Sequence, residues 1–323
     1  MSTILKILVL LVTILSATQN YGGTSLAAES YPSKPVTILV PYSPGGVSDM
    51  VARIFADVGR KYFSQPLVVE NRIGASGTKA IYDLVTSTPD GYTTCLASSG
   101  EAAAALHLVP ANFNLDSFTI IAHVGNQPVT VATSGPWNSL REIIDYGKKN
   151  PGKLRAGVSG LGGVTRVVGD MWAMKAGIEI KIVPFQGSGP LVPAVLGKHV
   201  EIGFLNVPET TTHYKAQTMK VLCVFAETRS KALPQVPTAK ELGYDVAGGS
   251  THFVIVPNGT PQEVRGKLNE LVKKVEDDPE FQQKTIELGY SAAYKDAETS
   301  KAFLKEWYDT AGKMFDILGL KKR

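Results

Sequence analysis

Val36-Thr37-Ile38-Leu39-Val40 runs straight into Pro41-Tyr42-Ser43-Pro44-Gly45-Gly46-Val47-Ser48-Asp49, and the reading of that junction decides the fold. The first five residues are apolar and mostly β-branched, which predicts a short buried strand. Beyond Asp49 the apolar side chains recur at Val51, Ile54, Phe55 and Val58, the spacing of an amphipathic helix. Between the two, a pair of prolines and Gly45-Gly46 break both periods. Ser48 or Asp49 is the expected N-cap. A strand, a glycine turn and a helix N-terminus in succession aim free backbone N–H groups above the strand end, which suits an anion. The turn supplies Tyr42, Gly45, Gly46, Ser48 and Asp49 as candidate ligand-binding residues.

The same layout returns along the chain. Leu67-Val68-Val69-Glu70 reads as a second strand, and the loop Asn71 to Gly77 leads into helical spacing at Ala80, Ile81, Leu84 and Val85. A third strand, Tyr92 to Ala97, ends in Ser98-Ser99-Gly100. Open α/β sheets bind ligands at the carboxyl ends of their strands. Gly74, Ala75, Ser76, Gly77, Ser98 and Ser99 therefore join the candidates. Strand-like runs at Phe118 to His123 and Val129 to Thr133 flank Gly125-Asn126-Gln127-Pro128, the expected first crossing between two lobes. Thr251 to Val256 is the expected crossing back.

Between the crossings lie three more strand ends. Leu154 to Val158 enters Ser159-Gly160-Leu161-Gly162-Gly163, Ile180 to Val183 enters Pro184 to Pro190, and Glu201 to Phe204 ends at Leu205-Asn206-Val207-Pro208. Ser159, Gly163, Thr165, Phe185, Gln186 and Asn206 are the candidates here. Arg166 is added because a cation in the first turn of a helix opposes the macrodipole unless an anion is near. The expected division is a leader at 1–27, a first lobe of 28–124 with 252–323, and a second lobe of 125–251.

Composition bounds the function. A chain of 323 residues with 44% hydrophobic and 19% charged residues has the make-up of a globular α/β protein large enough for two lobes. A net charge of +4 without a basic-aromatic stripe argues against nucleic acid as a partner. Lys6 followed by the apolar run Ile7 to Leu15 reads as an export signal, with Ser25-Leu26-Ala27 as its cleavage site. No later run approaches ~20 apolar residues, so no membrane span is expected. Cys95 and Cys223 sit in apolar, strand-like runs and are expected to remain unpaired core residues.

Motifs for chemistry are missing. The five histidines lack metal-ligand spacing, so no metal is expected. Neither a dinucleotide nor a phosphate-loop fingerprint occurs, so no cofactor is expected. Gly157-Val158-Ser159-Gly160 lacks the second glycine of a nucleophile elbow. A secreted hydrolase using Ser159 or Ser99 would need a histidine beside that serine. The balance favours a binder with no catalytic residue.

Several stretches together resemble one family. Tyr31-Pro32-Ser33-Lys34-Pro35 leading to Val40 through Asp49, Val69 to Gly77, Pro89-Asp90-Gly91-Tyr92 and Ser98-Ser99-Gly100 carry the pattern in the first half. Val183 to Ser188, Asn206-Val207-Pro208 and Leu233 to Thr238 carry it in the second. The chain is identified as resembling the solute-binding proteins of tripartite tricarboxylate transporters, the Bug (Bordetella uptake gene) proteins. The resemblance implies a periplasmic-binding-protein-like α/β fold of two lobes with a ligand cleft between them. It implies a periplasmic protein that captures a small organic carboxylate by hinge closure and delivers it to inner-membrane permease subunits. A ligand sensor docking on a membrane receptor would use the same cleft. The chain departs from the family pattern at Ile73, Ser76, Arg166, Leu205 and Thr251-His252. A guanidinium at 166 and no carboxylate at 205 imply a ligand whose second end is anionic or a polar acceptor.

Overall fold

The computed structural model describes residues 31–320. The expected leader and its cleavage site near Ala27 lie outside the described residues. The unit that carries the fold begins at Lys34. In chain order its elements are β1 (Val36–Val40), α1 (Val47–Gly59), β2 (Leu67–Asn71), α2 (Thr78–Val85), β3 (Thr93–Ser98), α3 (Ser99–Ala102), β4 (Phe118–Thr133), α4 (Leu140–Lys149), β5 (Leu154–Ser159) and α5 (Val164–Ala176). They continue with β6 (Ile180–Phe185), α6 (Ser188–Leu196), β7 (Ile202–Asn206), α7 (Val207–Lys215), β8 (Lys220–Phe225), β9 (Gly249–Pro257), α8 (Gln262–Asp277), α9 (Pro279–Leu288), β10 (Ser291–Lys295) and α10 (Ala297–Ile317).

The strands join in the order β2-β1-β3-β9-β4-β7-β5-β6, with β8 and β10 also on β4. β1 pairs in parallel with β2 and β3, as β5 does with β6 and β7. Each parallel group has its own core. Leu39, Ile81, Leu84, Cys95 and Ile255 pack together on one side, and Val168, Trp172, Phe204 and Phe225 on the other. The α/β class read from the sequence is the one observed.

β4 holds the two groups together. Residues up to Pro128 pair with β9, and Val129 to Thr133 pair with β7 and β8. The sequence predicts two strands here, because Gly125 and Pro128 look like breakers. The structure instead runs one strand of 16 residues through both. Gly125 sits at a register shift, with a φ of 157° and the Tyr290 ring against the face where a Cβ would stand. Pro128 has no N–H to give to a ladder, and the strand changes partners just after it. Two helices also begin earlier than expected. Gly46, not Ser48 or Asp49, is the N-cap of α1, and α6 begins at Ser188, inside the turn expected from Pro184 to Pro190.

Cys95 lies in β3 and Cys223 in β8, and both are free and buried. Burial pushes the Cys223 thiol up to about 12. No helix among the described residues is long and apolar enough to cross a membrane.

Trp172 is fully buried and meets Phe204 and Phe225 edge-on, at centroid distances of 5.9 and 6.5 Å. Trp172→Ala is expected to lower unfolding free energy by about 3–5 kcal/mol, measured by urea denaturation. A loss below about 1 kcal/mol would show that this cluster does not hold the second core.

Candidate functional site

Five helices begin at the carboxyl ends of strands and point their N-termini at one place. β1 leads to α1, β3 to α3, β5 to α5, β6 to α6 and β7 to α7. Between them lies a cavity of about 30 Å³, walled by Gly46, Val47 and Ser48 of α1's start, Ser98 before α3, and Val164 and Thr165 of α5. Gly187 and Ser188 at α6, and Asn206 and Glu209 at α7, complete the ring of helix ends. Tyr42, Gln127, Ser159, Ser250 and His252 close the remaining wall. The volume has room for roughly two water molecules.

The helix ends divide by how they are capped. At α3 the Glu101 carboxylate accepts from the Ser98 N–H and the Ser98 hydroxyl. At α7 the Glu209 carboxylate accepts from the Asn206 N–H at 2.8 Å. These two helices carry their own acid in a capping box. α1, α5 and α6 have Gly46, Gly163 and Gly187 as N-caps and no side-chain cap. First-turn N–H groups lack intrahelical partners by construction, so these three helices present donors and positive dipole ends to the cavity. Glycine has local reasons to be there. At Gly163 a Cβ would stand 2.0 Å from the Ser159 carbonyl oxygen, and Gly187 has a φ of 108°.

Three cavity-lining side chains hold polar atoms with no partner among the described residues. They are Ser159 Oγ, Gln127 Oε1 and His252 Nδ1, all buried. Leaving such an atom unpaired costs about 1–3 kcal/mol, which points to a group that satisfies it on binding. Among the described residues, no Lys or Arg lines the cavity. The site is therefore built from neutral donors and helix dipoles, with carboxyl groups at two of the five helix ends.

Burial sets the protonation states. Glu101 is fully buried and its carboxyl is raised to about 7 by desolvation, against the hydrogen bonds from Ser98 and Tyr42. Burial, and then the Glu101 charge, push the Tyr42 phenol well above its ordinary value, so Tyr42 stays a donor, reaching Glu101 Oε2 at 3.1 Å. Burial lowers His252 to about 3, which keeps the ring neutral at physiological pH. Its Nε2 lies 2.9 Å from Ser48 Oγ. This is the serine–histidine contact of the site. Among the described residues, no hydrogen-bond partner meets the other ring nitrogen, and Ser159 and Ser99 do not meet a histidine in this way. The arrangement lacks the third group that activates a nucleophile.

Of the residues predicted from sequence, Tyr42, Gly46, Ser48, Ser98, Ser159, Thr165 and Asn206 come together on the cavity. Others form its rim. The Ser76 hydroxyl in the Gly74-Ala75-Ser76-Gly77 loop accepts from the Leu161 N–H at 3.1 Å, and the Gln186 carbonyl accepts from the Ser43 N–H at 3.4 Å. These are contacts between the two strand groups. Phe185 supports from behind, its carbonyl accepting from the Gly160 N–H, and Ser99 Oγ accepts from the Thr251 N–H. Asp49 turns away from the cavity. Burial raises its carboxyl, but hydrogen bonds from Arg53, Gly45 and Asn71 outweigh this and hold it below the usual range.

Arg166 is placed differently from the sequence expectation. It is buried, its Nε donates to Asp170 Oδ2 at 2.5 Å, and it is not part of the cavity wall. The i, i+4 spacing on α5 supplies the counter-charge that a ligand was expected to supply. The candidates also left out Gln127, Val164, Gly187, Ser188, Glu209 and Ser250, while Val47 lay inside the quoted first turn and His252 was noted only as a departure from the family pattern. Asn206 followed three residues later by Glu209 is a capping-box spacing, and it was the available signal for Glu209. Gln127 and Ser250 are brought in by β4–β9 pairing, which no local pattern announces.

Residues 51–320 match the family described as tripartite tricarboxylate transporter family receptor. Protein BugT of Bordetella pertussis is 32% identical over 250 residues, covering 76% of this chain and 77% of BugT. Among solved structures, R. palustris Rpa4515 with adipate overlays with a TM-score of 0.86 at 26% identity, over 90% of this chain and 99% of that one. MatC from Rhodopseudomonas palustris with bound malate gives 0.82 at 26% identity, over 88% and 99%. A TctC solute-binding protein from Polaromonas with no ligand gives 0.65 at 26% identity, over 89% and 99%.

Glu101 generates a pH test. Its folded value lies above the ordinary carboxylate value, so its protonated form stabilises the fold below about pH 4.5, and that contribution is lost as pH rises to about 7. Native protein should lose on the order of 3 kcal/mol relative to Glu101→Gln across that window, followed by denaturant melts. Parallel pH profiles for the two proteins would show that Glu101 does not titrate there.

Proposed function

The chain belongs to the tripartite tricarboxylate transporter receptor family, and we propose that it closes over a small organic carboxylate and hands it to membrane permease subunits. It is a periplasmic solute-binding protein, and its family is a family of receptors without catalysis. One observation carries the ligand class. Three glycine-capped helix N-termini and the orphaned Ser159 hydroxyl face one cavity that, among the described residues, no Lys or Arg lines. A carboxylate accepts from several N–H groups at once and needs no cation to balance it at such a junction. Adipate and malate, bound by the two relatives, are the first probes.

Closure is the second part of the proposal. A cavity of about 30 Å³ admits no dicarboxylate as it stands, so the rim contacts Ser76–Leu161 and Ser43–Gln186 must part for entry. Two relatives of equal identity and nearly equal coverage overlay with TM-scores of 0.86 and 0.65. That difference is expected if the two halves of this fold take more than one arrangement. The pivot is assigned to residues 125–129 of β4 and 249–252 at the start of β9. On this reading the two lobes are those expected from sequence, one of 28–124 with 252–323 and one of 125–251. A ligand that touches both halves favours the closed arrangement by its extra contacts there.

The test is a thermal-shift screen with adipate, malate, other mono- and dicarboxylates and uncharged amides. Carboxylates at ~100 times Kd should add roughly 2.7 kcal/mol and raise Tm by a few degrees. Gly46→Val puts a branched side chain where even a Cβ would lie 2.8 Å from Ser188 Oγ of the other half. That variant should keep its fold and lose the shift. A shift with amides only, or an undiminished shift in Gly46→Val, would contradict the proposal.

A further inference from the structure

The ligand cavity uses one face of the paired strands β4 and β9, and their reverse face carries a second polar pocket. Gln127 pairs with Ser250 and Asn126 with Thr251. Gln127, Ser250 and His252 line the ligand cavity. Side chains alternate between the two faces of a sheet, so Asn126, Thr251 and Phe253 stand behind them. A register shift between His123 and Gly125 puts His123 on this same reverse face. β10 lies on the other side of β4 with Lys295 opposite His123, which makes those two side chains neighbours. These residues, with Ser300 and Phe303 of α10, enclose about 60 Å³, several times the space that one water needs. Among the described residues none lines both cavities.

The pocket is built from donors. His123 is 3% exposed, and neither of its ring nitrogens has a hydrogen-bond partner among the described residues. Burial, and then the Lys295 charge, lower it to about 4, against the backbone of Gly125 and Ala293. The ring is therefore neutral at physiological pH and carries one N–H, which its tautomer can place on either nitrogen. The Thr251 hydroxyl accepts from Asn126 Nδ2 at 3.0 Å, which leaves its own proton to give. Lys295 is exposed and brings an ammonium to the same pocket. Among the described residues no carboxylate lines it. Asp296, next to Lys295 in the chain, is engaged at the start of α10, where its carboxylate accepts from the Thr299 N–H at 2.8 Å. The Ser300 hydroxyl donates to the Asp296 carbonyl at 2.6 Å. A buried N–H, a hydroxyl proton and a cation converge with no acid to answer them, and that combination selects a negative ligand.

We propose that this pocket is a second ligand site, for a small monovalent anion such as chloride or formate, held by Lys295, His123 and Thr251 on the reverse face of β4 and β9. The site goes beyond the proposed function and does not depend on it. Lys295 supplies the counter-charge, and the His123 N–H and Thr251 O–H supply directed hydrogen bonds. The rings of Phe253 and Phe303, 6.2 Å apart between centroids, give it apolar walls. The two cavities then bind by different means, one through helix ends and the other through a fixed cation.

The experiment is an NMR titration of the full chain at pH 7.5 with sodium chloride and, separately, sodium formate. Gluconate, a much larger anion, holds the ionic strength constant. The His123 ring nitrogens and the Thr251 amide should move along a saturating curve. Saturation by chloride, by formate or by both supports the site and names the ions it takes. Lys295→Gln changes an exposed residue, so that variant should fold, and its apparent Kd should be about tenfold weaker. Lys295→Arg keeps the charge and should stay within about threefold of native. A His123 ring that neither ion moves would mean that the pocket holds water alone, and would overturn the proposal. Equal Kd values in native protein and Lys295→Gln would overturn it too. So would a response at the Gly46 and Gly163 amides with His123 unmoved, because that places the anion in the ligand cavity.

Discussion

An α-helix starts with N–H groups that its own backbone cannot satisfy, and this protein gathers five such starts around one small cavity. Their positive ends would destabilise each other unless acceptors are supplied. The chain supplies two itself, through Glu101 and Glu209. The other three are left with glycine caps. Much of the remaining architecture follows from that constraint. Parallel strands place their carboxyl ends together, glycines let the loops approach closely, and β4 brings the second group of helix ends against the first.

The electrostatics are economical in charge. Arg166 and Asp170 neutralise one another on α5, and Asp49 is absorbed by Arg53 and Asn71. What faces the cavity is a set of neutral donors, a neutral histidine and one carboxyl, that of Glu209, raised by burial. Such a surface suits an acid through geometry and helix dipoles. It differs from a cleft that relies on a fixed guanidinium, and it makes the binding free energy less sensitive to salt.

Much of the fold was legible because strand, small-residue turn and helix alternate with clear period changes, as at Val40 to Val51. The same turns named seven residues that do meet at the cavity. Three kinds of information were not local. Pairing of β4 with β9 brought in Gln127, Ser250 and His252 from segments that read as connections. The orientation of α5 decided that Arg166 meets Asp170 four residues on, although its place in the first turn suggested a ligand. Finally, Glu209 lies past a proline in a segment for which the sequence suggests no element, and only the folding of α7 at the end of β7 brings its carboxyl to the cavity wall. The continuity of β4 through Gly125 and Pro128 was hidden for a related reason. Breakers are tolerated where a strand shifts register or changes partners.

The most direct measurement is a crystal structure of the protein with a bound carboxylate. The account predicts carboxylate oxygens at about 3 Å from backbone nitrogens in the first turns of α1, α5 or α6, with Arg166 still on Asp170. A carboxylate held by the Arg166 guanidinium, or bound away from the helix N-termini, would contradict it.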